Sequence, residues 1–299
     1  MKKILFSLGV VCLTALSCTK EKTDYEAAIA AVTPEHTEFK EAAAIHSGGY
    51  DIRIEALNGT FYTGYNEIRL KITNSPPHAK ANISVVTFLP IKTDADGGTS
   101  SCPHRTDLVY RPDSNYFSGY SVFTGESNTD EAWTLDIGFT IDNQRHMVTH
   151  PVTVQKQANK NLNMTTFTGK DDEQYIIALV SPQRPKVAEN ELVAGMYRLN
   201  GTDPYPFSYT EVSGYTLMLD PRMPEPSMGN HSSPNNVDLT QQNDGLYHGV
   251  VNYTMTGNWT LNLVMLNQDG RILKGTEVPT DFTPGVEGVK SELYIDVLF

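Results

Sequence analysis

Cysteine is scarce in this chain: three in 299 residues, at Cys12, Cys18 and Cys102. That is too few for a disulfide framework, so packing must hold the core. Basic residues are also in deficit, 23 against 35 acids for a net charge of −12. Such a balance speaks against a nucleic-acid partner or a basic membrane-surface patch. No apolar run reaches the length of a membrane-spanning helix; the longest, Ile4–Leu16, is too short. Nucleophile-elbow, phosphate-loop and zinc-protease motifs are missing. The acidic pairs Asp130-Glu131 and Asp171-Asp172 sit in turn-like sequence without the scaffold a glycosidase needs. A non-enzymatic protein is expected.

What is present begins with the N-terminus. Lys2 and Lys3 precede the apolar Ile4–Leu16, and Ala15-Leu16-Ser17-Cys18 follows as a small-residue cleavage site. Ala-Leu-Ser-Cys resembles a bacterial lipoprotein box, and the continuation CTKEKTD resembles lipoproteins of the Bacteroidetes. The resemblance implies a signal peptide over 1–17 and lipidation of Cys18; residues 18–42, charged and alanine-rich, read as a tether in which Asp24–Val32 could form a short helix. The resemblance also implies attachment to the outer membrane through the lipid, on the periplasmic or the surface face. An ordinary secretory signal with a coincidental cysteine is the alternative. Cys12 leaves with the signal in either case, and Cys102 is left without an intramolecular partner.

Helical periodicity nearly vanishes from Gly49 onward. Alternating runs at Tyr50–Leu57, Glu67–Ile72, Ile83–Leu89, Ser118–Thr124, Ala132–Phe139 and Val148–Val154 read as strands between Gly/Pro/Asn turns. Their spacing predicts an antiparallel β-sandwich. The second half repeats this layout. Tyr50 matches Tyr175, Asn66-Glu matches Asn190-Glu, Pro90 matches Pro221, Tyr116 matches Tyr247, and Trp133-Thr-Leu matches Trp259-Thr-Leu. The reading is a tandem duplication: domain 1 over 43–157, a polar linker at Gln157–Asn163, and domain 2 over 163–299. Insertions are expected after Pro90/Pro221 and before the tryptophans, which themselves read as core anchors.

Chemistry concentrates in one stretch. An alternating run at Tyr215–Asp220 is expected to break at Pro221 into a loop carrying Met223-Pro224, Met228-Gly229 and His231. Then come Gly245-Leu-Tyr247, Met255-Thr-Gly257 and Trp259. This order resembles the YtkA-like and FixH-like group, small extracytoplasmic immunoglobulin-like domains. It departs from their pattern by inserting Asn230 between Gly229 and His231. The resemblance implies two tandem immunoglobulin-like sandwiches and an accessory role in metal handling, with copper as the metal. Thioether and imidazole are ligands that suit Cu(I), so Met223, Met228, His231 and Met255 form the candidate metal set. Cys102 and His104 in the first domain form a second, weaker pair. Against this stands a plainer reading, in which the methionines plug the open end of a sandwich. The protein would then be a structural or docking module for an outer-membrane partner, with no metal.

Overall fold

The computed structural model describes residues 38–74, 83–200 and 209–298. The signal peptide, Cys18 and the expected tether lie outside the described residues. Apart from one 3₁₀ turn at Lys160–Leu162, the regular structure described is all strand.

The first domain is a two-sheet sandwich. One sheet runs Phe39–Ser47, Tyr50–Leu57, Gly64–Asn74, Tyr116–Phe123, Val109–Arg111; the other runs Gln144–Val152, Glu131–Ile141, Ile83–Asp94, Thr99–Ser100. The second domain has the same order. Met164–Thr168, Gln174–Ser181, Glu189–Leu199, Tyr247–Asn252 and Val237–Gln241 face Asn258–Leu266, Thr216–Met223 and His231–Ser232. Ile272–Lys274 and Leu293–Leu298 pair with Asn258–Leu266 on its free side. All the main pairings are antiparallel. Setting aside the extra first strand of each domain, this is the strand order of an immunoglobulin-like sandwich.

One edge of the second domain is closed. Val237–Gln241 pairs with Tyr247–Asn252 and, past an irregularity between Val237 and Thr240, also with Thr216 and Leu217. A single strand thus ties the two sheets together.

The duplication is visible in its hydrogen bonds. The Asn66 side chain donates to the carbonyls of Tyr62 and Gly64 and accepts from the Tyr62 amide. Asn190 does the same with Lys186 and Ala188. Both asparagines are buried, so each bond satisfies a group that water cannot reach. The tryptophans sit at the centres of the two cores, with Trp133 Nε1 donating to Gly125 and Trp259 Nε1 to Met255.

Two expectations are corrected. The proline offset, 131, already exceeds the asparagine offset, 124, so the added residues precede Pro221 rather than follow it. They include an extra strand, Tyr209–Glu211, paired with Tyr197–Leu199. Nor does Pro221 end its strand: Thr216–Met223 passes through it, with Pro221 opposite Leu261. Its missing N–H points the way that of Leu219 does, towards the side where Leu219 bonds only the Asp238 side chain. No ladder partner stands opposite Pro221 there, so the absent donor costs nothing.

The junction between domains is packed. Tyr65, Tyr120 and Val122 of the first domain meet Ile176, Ala178, Tyr197 and Tyr209 of the second in one apolar cluster. Tyr65 stacks on Tyr120, Tyr120 leans on Tyr197, and Tyr120 Oη donates to Glu211 Oε1 at 2.7 Å. Glu211 comes from the strand added only in the second domain. The linker belongs to this packing: Asn159 and Asn161 are buried, and Asn161 bonds the carbonyl of Leu298. The first strand begins at Phe39, ahead of the expected boundary at residue 43.

Candidate functional site

The loop after Thr216–Met223 turns back at Glu225–Asn230 and returns as His231–Ser232, which places His231 opposite Met223. Met228 closes the turn, accepting at its carbonyl from the His231 amide and donating from its own amide to Glu225. Gly229 and Asn230 both have positive φ, +64° and +53°. Glycine and asparagine are the residues that adopt this conformation cheaply, so the inserted Asn230 is tolerated for a backbone reason.

The four candidate ligands do not share one environment. Met223 is 0 % exposed and belongs to the core around Trp259, Leu261 and Val297. Met228 is half-buried against that core. His231 stands edge-on to the Trp259 ring at 6.0 Å between centroids, and its Nε2 is hydrogen-bonded to Thr254 Oγ1 at 2.8 Å. Met255, next to Thr254, is 37 % exposed and uses its carbonyl to anchor Trp259. The backbone thus brings Met228, His231 and Met255 to one end of the sandwich, with Met223 in the core. As donors, two thioethers and an imidazole fit a soft monovalent cation; Met223 would have to leave the core to join them. Met218 is half-buried on the opposite face from Leu217 and Leu219.

The first-domain pair is not assembled as a metal site. Cys102 is fully buried, its Sγ 3.3 Å from Ser121 Oγ, and burial pushes its thiol up to about 12. Both ring nitrogens of His104 are engaged, Nδ1 with the Cys102 carbonyl and Nε2 with Thr106, and burial holds the ring below its usual range. A thiol so buried is a packing residue.

Sequence reading missed the strap. Between Ile272–Lys274 and Leu293–Leu298 the chain leaves the sheet and crosses the candidate loop. Asn230 Nδ2 donates to the Pro279 carbonyl, Gly288 N donates to the Pro224 carbonyl, and the Phe282 ring lies over Gly229. Asn230 is buried by this cover. The segment has no periodicity, so only its valines and phenylalanine hinted at a contact.

Residues 169–264 match the YtkA-like family. The YtkA-like segment runs from the turn before Gln174–Ser181 into Asn258–Leu266, and so includes the Met228–His231 loop and Met255 but not the strap. No curated protein matches the chain. Among solved structures, a DUF4785 family protein from Legionella pneumophila matches at 9 % identity and a TM-score of 0.24. The match covers 75 % of this chain and 55 % of that one. A conserved domain protein from Bacillus anthracis matches at 12 % identity and a TM-score of 0.28, over 90 % of this chain and 94 % of the other. Likeness at this level says nothing about function.

Proposed function

We propose that the protein is a non-enzymatic accessory lipoprotein of the cell envelope that binds a soft metal ion, Cu(I) by its donor chemistry. The working residues are Met228, His231 and Met255, at the loop end of the YtkA-like domain. The observation behind this reading is that one end of the sandwich carries two methionines and a histidine, two of the three in one tight turn. The rigid sandwich beneath sets their positions, and His231 exchanges its Thr254 contact for the metal or ligates through Nδ1. Met223 seals the core under the site and is not a ligand.

The test is a Cu(I) titration of the full chain against a competing chelator, with Met228→Ala, His231→Ala, Met255→Ala and Met223→Leu variants. One-to-one binding tighter than about 1 μM, near −8 kcal/mol, is expected. Each substitution at Met228, His231 or Met255 should weaken it at least tenfold and Met223→Leu should leave it unchanged. Binding no tighter than micromolar in the parent would remove the metal from the account. The burial of Met223 favours the second reading, a docking module without metal, and that outcome would leave it standing.

A further inference from the structure

The strap at residues 275–292 carries a second feature that the metal reading does not use. Phe282, Val286 and Val289 are exposed to 46 %, 56 % and 61 %. Exposed single apolar residues are ordinary, but here three crowd onto one short irregular segment that is itself pinned down. Pinning comes from the Gly288–Pro224 and Asn230–Pro279 bonds and from Phe282 over Gly229, so the side chains are presented rather than loose. Apart from Lys290, the charges on the segment have one sign. Glu277, Asp281, Glu287 and Glu292 are all exposed on the same segment. Its one cation, Lys290, is committed to both carboxylate oxygens of Asp296 at 3.0 and 2.9 Å.

We propose that this strap is a docking surface for a protein partner that presents an apolar segment flanked by lysine and arginine. The acidic rim selects the partner by charge: it steers a basic face in and repels an acidic one. It also disfavours an anionic bilayer, which would meet four carboxylates beside the apolar side chains. The YtkA-like match ends before the strap, so the surface is an addition to that segment, and it stands independently of metal binding.

The test uses the full chain and three synthetic peptides sharing a Leu-Phe-Val core, flanked by lysine, serine or glutamate, followed by fluorescence anisotropy. Phosphatidylcholine vesicles serve as the membrane probe. The lysine-flanked peptide is expected to bind at least tenfold tighter than the glutamate-flanked one, with the difference shrinking as salt rises. Phe282→Ser/Val286→Ser/Val289→Ser should abolish binding. Asp281→Lys/Glu287→Lys, which leaves the apolar side chains in place, should invert the peptide preference. Equal binding of all three peptides, unchanged binding by the charge-reversed chain, or strap-dependent partition onto the vesicles would each overturn the proposal.

Discussion

Replacing Met223 by alanine separates a ligand from a plug. The side chain is wholly buried in the second-domain core, so truncation removes its buried sulfur and carbons and leaves a void. Transfer of a buried methionine is worth about 1.5–3 kcal/mol, and the residual cavity brings Met→Ala losses to about 2–5 kcal/mol. A cost near 3 kcal/mol is expected for Met223→Ala. Met255→Ala, at 37 % exposure, should cost under about 1 kcal/mol. Urea unfolding read by tryptophan fluorescence measures both, since each domain holds one tryptophan; a Trp133→Phe background isolates the second. Met223→Leu keeps the volume and removes the thioether, and should restore most of the lost stability. A loss under about 1 kcal/mol for Met223→Ala, or loss of copper binding in Met223→Leu, would refute the assignment of this residue to the core.

Two further outcomes follow from the charged and hydroxyl groups. His248 lies between Glu191 and Asp244, its two ring nitrogens 2.9 and 3.0 Å from their carboxylates. Burial lowers its pKa, but the hydrogen bonds to those carboxylates outweigh burial and the net shift is upward. The contribution to stability is therefore complete below about pH 6.5 and fades as pH rises through the folded-state value. The thermal midpoint should fall across that window in the parent and stay flatter in His248→Gln. At the junction, Tyr120→Phe removes the bond to Glu211 and should weaken domain coupling by about 1–3 kcal/mol. The signature would be separation of two unfolding transitions that the packed junction is expected to make coincide in the parent.

Much of the fold was legible because the repeat is written in chemically demanding residues. A buried asparagine that caps its own strand entry, and a tryptophan with its Thr-Leu sequel, have few substitutes, so Asn66/Asn190 and Trp133/Trp259 align by eye. What was not legible depended on contacts between distant segments. The run Tyr175–Val180 lacks strict alternation because both faces are covered, Tyr175, Ile177 and Leu179 by their own core and Ile176 and Ala178 by the first domain. Pro221 read as a strand end, since nothing local shows that its neighbouring edge is empty. Met223 and Met255 have identical side-chain chemistry, and only burial tells the core plug from the surface residue. Cys102 and His104 are two positions apart, yet each is turned towards a different hydrogen-bond partner.

The position of Phe39 has a consequence for reach. Its side chain lines the same small cavity as Leu162, Val180 and Gln183. Strand registers put the end of Gln174–Ser181, near Val180 and Gln183, at the same end of the second domain as the Met228–His231 loop. The chain thus enters the described fold on the side of that loop and the strap. From Cys18 to Phe39 even a fully extended chain spans only about 70 Å. A lipid on Cys18 would hold Phe39 within that radius of the membrane, so any partner of the described fold would be sought among molecules near the bilayer surface.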